Sequence, residues 1–582
     1  MREGAASYLS KYPVDAFLSS KTRLSVNRSP EAEPKLGGNM NIRRALSSSQ
    51  NATPDLSSWS SSVVVIMQCY ASMMRRPHRH QPLFQVAKSL AIFKLCASPV
   101  FVRYGPVLLD AAEKVPGLKQ AARFVVRKTF FEHFCGGENT QQVHATMTEY
   151  RERGIGVILN YAVEADVSTV TPTLQETVEE ARRVCAGMKE SADIACQHPH
   201  NFIAMKVTPL IPPSVLLRWT NSLRAVYAAF EQDAREIKGV KCLQKDAFMN
   251  PDGAFMKRFN KLAQNKKTAE LLWSQMDYNN TGAVDLIDVS NVFTISNRDA
   301  RGVLVTNAEK NEALALATES DFQVIDAVFP FVEEIVAHSK SKHVKVIVDA
   351  EWTYVQPAID DMALNLGKKF NGKRMAANEG INGGRPVIFN TYQMYLKDAL
   401  GRVHRELERA ERGGYNVGIK IVRGAYIVSE TERAASMGYE NPICPTLEAT
   451  HTSFNSAISL CIQKIHDNTP APSIETPLPV QFFSASHNFE SVIHAWTLMK
   501  QYGIDFQSDC VGFGQLRGMQ DGTTYGIAAH GLKGYKCVPY GPVEVTIPYL
   551  VRRAQENSAV LGGVKVDKEN LWNEIKTRFG ML

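Results

Sequence analysis

The chain has no Cys-x-x-Cys pair among its ten cysteines, which are scattered from Cys69 to Cys537. That excludes a zinc ribbon, offers no disulfide framework and fits a reducing compartment. Long basic runs are missing too. A formal net charge of +7 over 582 residues is small, so no nucleic-acid partner is expected. No apolar run can span a bilayer: 63–67 is too short, and 83–102 is interrupted by Lys88 and Lys94. A dinucleotide fingerprint is also lacking, because Gly512-Phe513-Gly514 continues to Gly518 with the wrong spacing, which argues against a Rossmann-type flavin site. His198-Pro199-His200 has no downstream partner at ligand spacing and reads as exposed loop histidines.

What is present is a full-sized globular composition, 44% hydrophobic and 21% charged, in a chain long enough for a catalytic domain with appendages. Residues 1–85 are rich in Ser, Arg, Asn and Pro, with Arg43-Arg44, a serine run at Ser47 to Ser49 and Arg75-Arg76. This bias resembles a mitochondrial transit segment, although Asp15, Glu31, Glu33 and Asp55 are more acidic residues than that class carries. A helical arm is expected over 86–135. From Gly137 onward, short Val/Ile-rich runs alternate with longer amphipathic stretches, the rhythm of βα units. The strand candidates are 156–161, 202–208, 344–349, 387–392, 417–422, 480–485, 510–513 and 536–539. Eight such units make an α/β fold, a distorted (β/α)8 TIM-like barrel assigned to 136–215 and 330–565, with reactive groups at the C-terminal strand ends. Residues 566–582 are left as a C-terminal tail.

The rhythm breaks over 216–329, which must hold an inserted helical segment. Within it, residues 277–288 match an EF-hand calcium loop, with Asp277, Asn279, Thr281, Ala283 (through its carbonyl), Asp285 and Asp288 at ligand positions and Gly282 at the sharp turn. The flanks carry Leu271, Leu272 and Met276 before the loop and Val289, Val292 and Phe293 after it. The loop ends on Asp288 where the standard one has Glu, so two readings stand: a Ca2+ site, or a loop holding two helices without metal.

Near the end, Tyr549, Arg552, Arg553 and Glu556 share one face of a predicted helix at i, i+3, i+4 and i+7. Two adjacent guanidinium forks can hold a small carboxylate through charge-assisted hydrogen bonds, and the same residues also suit a solvated face with an Arg-Glu pair. Lys206 and Asp349 end the second and third strand candidates, placing a cation and an anion at the barrel mouth.

Several motifs in order then carry a resemblance: Met205-Lys206, Val348-Asp349-Ala350-Glu351, Phe389-Asn390-Thr391-Tyr392-Gln393, Val422-Arg423-Gly424-Ala425-Tyr426, Ser486-His487-Asn488, Gly514-Gln515-Leu516-Arg517-Gly518-Met519, Pro539-Tyr540-Gly541-Pro542 and Tyr549-x-x-Arg552-Arg553-x-x-Glu556-Asn557. Over residues 134–580, outside the insertion, the chain resembles the proline dehydrogenase family, in its monofunctional eukaryotic mitochondrial form. The resemblance implies FAD-dependent oxidation of L-proline to 1-pyrroline-5-carboxylate, with hydride passing from proline C5 to flavin N5. It implies that Lys206, Arg552 and Arg553 hold the substrate carboxylate and that Asp349 orients them, the four forming the catalytic set. Tyr426, Leu516, Tyr540 and Tyr549 would pack on the ring. Asn390, Lys420, Val422, Arg423, Gly424, Ala425, His487, Asn488 and Glu556 would hold FAD. Bacterial bifunctional relatives have Arg at the position of Lys420, which keeps charge but not geometry.

The resemblance further implies ubiquinone as acceptor, peripheral inner-membrane contact on the matrix side of the mitochondrion, and release of the product to another enzyme. Three alternatives remain open at this stage. One is a trans-4-hydroxy-L-proline dehydrogenase, against which Pro542 stands where those enzymes place Ser. Another is a lyase on the same barrel using Lys206 as amine nucleophile. The last is a calcium-responsive binding module.

Overall fold

A computed structural model describes residues 76–98, 104–105, 111–112, 114–115, 117–161, 172–198, 200–305, 315–373, 384–469, 472, 477–547, 549–551 and 561–581. The targeting-like segment, apart from residues 76–85, lies outside the described residues, as do Arg552, Arg553 and Glu556.

Eight parallel strands close into a barrel: β1 (Gly156–Tyr161), β2 (Phe202–Met205), β3 (Lys345–Val348), β4 (Ile388–Gln393), β5 (Val417–Val422), β6 (Val480–Ala485), β7 (Val511–Leu516) and β8 (Lys533–Tyr540). Each pairs with its sequence neighbour, and β8 closes on β1 from Gly156↔Tyr535 to Tyr161↔Tyr540. All eight predicted strands are present, and β7 and β8 run longer than expected. Helices around the barrel include α1 (Leu83–Cys96), α2 (Thr140–Arg151), α3 (Leu174–Ala195), α4 (Pro213–Asp233), α5 (Glu319–Ser341), α6 (Gln356–Phe370), α7 (Ala399–Gly413), α8 (Ile427–Met437), α9 (Leu447–Asn468), α10 (Phe489–Gln501), α11 (Asp521–Ala529) and α12 (Leu561–Arg578). Among the described residues no helix is long and apolar enough to cross a membrane.

Side chains alternate between faces of a strand, and in such barrels inward residues stack in layers contributed by alternate strands. Here the even strands supply one aromatic each: Phe202, Phe389, Phe483 and Tyr535, with neighbouring ring centroids 5.2–5.4 Å apart. The odd strands give them room with Gly156, Gly418, Gly512 and Gly514, where an added Cβ would meet ring atoms of that layer. Below the aromatics, Lys345 bonds Asp509 at 2.6 Å and lies over the Phe202 and Phe389 rings. Tyr535 and His200 reach the same carboxylate at 3.1 and 3.4 Å. Burial alone would raise the Asp509 carboxyl, but Lys345 and His200 outweigh it and hold the group well below the usual range. His200, expected as an exposed loop residue, thus helps seal the N-terminal end, which leaves the C-terminal end as the mouth.

The insertion lies between α4 and α5. It opens with an antiparallel hairpin, Arg235–Ile237 with Val240–Gln244, turned at Lys238-Gly239, where both φ values are positive. Ala283–Val284 adds a third strand. Phe248, Phe255, Trp273 and Phe293 pack together and belong to the same core as the α4 and α6 side of the barrel. Buried Asp361 of α6 ties the parts together, accepting from Trp219 Nε1, Thr294 Oγ1 and the Ile295 amide at 3.0, 2.5 and 2.7 Å. The insertion is therefore welded to the barrel. The expected tail is also structured: α12 turns Asp567, Leu571 and Glu574 inward, and Leu571 packs on Val86, Leu90 and Phe93 of α1.

Candidate active site

Above the aromatic floor, the next inward positions carry charge. Asp349, just past β3, accepts from Lys420 Nζ of β5 at 2.8 Å, so two residues predicted for different roles on separate strands form one pair. Lys206 follows β2 at the same rim and is half-buried. Beside it, Glu351 is buried and accepts the Val207 and Thr208 amides at 3.1 Å each and Thr208 Oγ1 at 2.6 Å. Burial raises the Glu351 carboxyl, while these bonds and the Lys206 charge oppose the rise. Glu351 thereby shapes the turn that presents Lys206.

Gln393, the last residue of β4, spans the mouth: its Nε2 donates to the Glu351 carbonyl at 2.7 Å, and its Oε1 accepts the Ala425 amide at 3.3 Å. Sequence reasoning assigned neither Glu351 nor Gln393 a role. Both stand in quoted motifs, and counting every second residue from Phe389 puts Gln393 inward with Thr391.

The predicted cofactor residues separate by face. Val422 ends β5 beside Lys420, and its carbonyl accepts the Met394 amide at 2.8 Å. Gly424 has φ +139, and an added Cβ would collide with the Tyr395 ring, so only glycine fits. Ala425 is exposed at the rim. Arg423 turns to the helical layer, donating to Ser486 Oγ and to Ser491 Oγ at 2.9 Å, over the Phe454 ring. His487 Nε2 accepts the Leu516 amide at 3.1 Å, which places the ring proton on Nδ1. Asn488 caps α10 through the Ser491 amide at 2.8 Å. Asn390 departs from expectation: it alternates with inward Phe389 and Thr391, and its Nδ2 donates to Asp360 of α6 at 3.0 Å.

Of the predicted ring-packing residues, Tyr426 stands at the N-terminus of α8, 5.1 Å from the Trp352 ring. Leu516 and Tyr549 meet the N-terminal arm, packing with Ile92, Phe131 and Phe134. Tyr540 points the other way. Its ring lies against Tyr161, and its hydroxyl is 2.5 Å from Ser191 Oγ of α3. Since Ser191 gives its proton to the Gly187 carbonyl, the phenol donates to Ser191.

The calcium reading finds no support in the structure. Both Asp277 oxygens are taken by Thr281 and by the Gly282 amide, and Thr281 Oγ1 also donates to the Ala283 carbonyl. Asn279 is exposed. Asp285 and Asp288 form a capping box at the start of Leu286–Val292, and Arg412 of α7 stands 2.6 and 3.8 Å from them. The cation facing these carboxylates is a guanidinium. Among the described residues no group of three or more His, Cys, Asp or Glu could hold a metal.

The mouth suits a flavin by its donor set and space. Gln393 ends β4, Lys420 lies near the end of β5 and His487 follows β6, Thr391 Oγ1 is buried with no hydrogen-bond partner, and Gly541 (φ +137) has open space where a Cβ would stand. These groups match an electron-rich ring edge and a backbone approached closely by a ligand.

Comparison with known proteins agrees. The sequence profile described as Proline dehydrogenase matches residues 143–566. Proline dehydrogenase 1, mitochondrial, of Homo sapiens is 28% identical over 550 residues, covering 86% of this chain and 88% of the relative. Hydroxyproline dehydrogenase of Xenopus laevis is 26% identical, covering 85% and 87%. The crystal structure of proline utilization A from Bdellovibrio bacteriovorus, inactivated by N-propargylglycine, superposes with a TM-score of 0.53 at 13% identity; the match covers 86% of this chain but 42% of that one, and it bears on the fold alone.

Proposed function

Because the chain belongs to the proline dehydrogenase family, we propose that its barrel mouth binds L-proline with FAD and oxidises the substrate to 1-pyrroline-5-carboxylate. The observation that carries this reading is the Asp349–Lys420 pair set beside Lys206 above a closed aromatic floor. Bound FAD supplies the redox chemistry, accepting two electrons and the C5 hydrogen as hydride. Lys206, with Arg552 and Arg553, holds the substrate carboxylate, and Asp349 keeps Lys420 directed at the ring edge of the cofactor. Gln393 joins the two rims that contact the cofactor, and Arg423, Val422, Gly424, Ala425, His487, Asn488 and Glu556 complete its cradle. Asn390 acts indirectly, by bracing β4 against α6. Tyr426, Leu516 and Tyr549 exclude water from the proline ring, and Tyr540 sets the wall through its anchor on Ser191. The ring amine must be unprotonated to lose hydride, so the rate falls as pH is lowered.

The acceptor is a quinone; ubiquinone reached by peripheral contact at the matrix face of the inner mitochondrial membrane is the proposed case, with the targeting segment lying before Arg76, within the stretch 1–85. The test is an anaerobic absorption spectrum of the FAD-loaded protein. L-proline should bleach the flavin bands and trans-4-hydroxy-L-proline should do so less. A stronger response to hydroxyproline would move the substrate assignment, and no response to either would remove the function.

A further inference from the structure

The β7 strand end is gripped from outside the barrel. Asp567, on the inward face of α12, accepts the Gln520 main-chain amide at 2.9 Å and lies 3.4 Å from Gln520 Nε2. Gln520 is left-handed at φ +51, a conformation that a non-glycine residue keeps only when its surroundings enforce it. From the barrel side, the fully buried Lys536 of β8 donates to the Met519 carbonyl at 2.7 Å and the Leu516 carbonyl at 3.2 Å, and pairs with Asp521 at 2.7 Å. From the arm, His133 Nε2 stands 2.9 Å from the Gly518 carbonyl. Burial pushes the Asp567 carboxyl up to about 7, with Asp521 adding to the rise, which agrees with a group enclosed by this turn.

The far end of the same turn reaches the mouth, because the Leu516 amide donates to His487 Nε2. Helix α12 is itself held by residues 76–78: Glu574 bonds Arg76 and, within its own helix, Arg578 at 3.0 and 2.9 Å, and Arg578 reaches the His78 carbonyl at 3.0 Å. A continuous set of contacts thus runs from α12 through the 516–520 turn to two residues of the proposed site.

We propose that Asp567 is a positioning residue: by fixing the Gln520 amide it holds the 516–520 turn so that Leu516 faces the substrate and its amide orients His487 toward the cofactor. This rests on the mouth being the proline and flavin site. A bystander helix would need no inward carboxylate, since an apolar residue beside Leu571 would dock it equally well.

The experiment compares full-length Asp567→Ala and Asp567→Asn with the parent by peptide-level hydrogen exchange without ligand, and by FAD content and steady-state kinetics. Asp567→Ala should speed exchange over 514–524 while leaving 345–351 unchanged, and should raise KM for proline about tenfold with kcat changed far less. Asp567→Asn keeps an acceptor oxygen and should restore both. Unchanged exchange in Asp567→Ala overturns the clamp whatever the enzyme's substrate proves to be. Faster exchange with unchanged KM and FAD content overturns the positioning role. If Asp567→Ala does not fold, Asp567→Asn decides alone: parent-like KM and exchange support the hydrogen bond, and a tenfold KM rise overturns it in favour of charge. Failure of the parent to respond to proline would instead mark failure of the functional reading.

Discussion

The aromatic floor can be tested by taking out one ring and filling its place from the adjacent strand. Phe483 is 1% exposed and touches both Phe202 and Tyr535, so Phe483→Ala should leave a cavity costing about 3–5 kcal/mol. Gly514 faces the same ring, and a Cβ there would lie 2.6 Å from Phe483 Cε1, too close without movement. Gly514→Ala alone should therefore cost about 1–3 kcal/mol by overpacking. In the Phe483→Ala background that collision is gone and the new methyl enters the void. The double variant should be more stable than the sum of the single costs by at least about 1 kcal/mol, and more stable than Phe483→Ala alone. The assay is urea unfolding of the four proteins at one flavin loading, with melting temperatures as a second readout. Additive costs within about 0.5 kcal/mol would refute the claim that Gly514 is small because Phe483 occupies its side-chain space.

At the insertion, millimolar Ca2+ should leave the melting temperature unchanged, because its candidate ligands are spent on amides and on Arg412; a saturable stabilisation would restore the metal reading. Arg412→Ala should cost about 1 kcal/mol, a value kept low by the partial exposure of the arginine. A pH dependence should come from Asp567, whose native carboxyl holds its proton up to about 7 while the unfolded chain releases it near the ordinary carboxylate value. The native state then binds more protons across that window, so the contribution is full at acid pH and is lost as pH rises through 7. Urea stabilities at pH 5 and 8 should fall with pH more steeply for the parent than for Asp567→Asn, and parallel slopes would refute the assignment.

The barrel was legible because its strands are short Val/Ile runs that need burial on both faces, and strands such as 417–422 have a composition that suits little else. The charged rim was legible for a related reason, since Lys206 and Asp349 directly end apolar runs. What a motif leaves open is which face each of its residues takes. Asn390 and Gln393 stand in one motif, yet alternation sends the first to Asp360 and the second across the mouth. Tyr540 follows the same rule toward Ser191. The aromatic layer settles the phase, and it becomes visible only when four strands are aligned.

Long-range partners explain the remaining differences. Residues 277–288 have the oxygen spacing of a calcium loop, but Arg412 arrives from α7, beyond any local window, and neutralises the carboxylates that the metal reading needed. Residues 566–582 read as a tail because, among the described residues, their fully buried positions are Asp567, Leu571 and Glu574, two of them acidic. Their partners, Gln520, Arg76 and α1, come from two distant stretches of chain. Buried carboxylates weaken a hydrophobic pattern while strengthening a specific contact. Polar residues on the inward face of a helix were therefore the signal that α12 serves the β7 turn, and their meaning depended on the fold that supplies their partners.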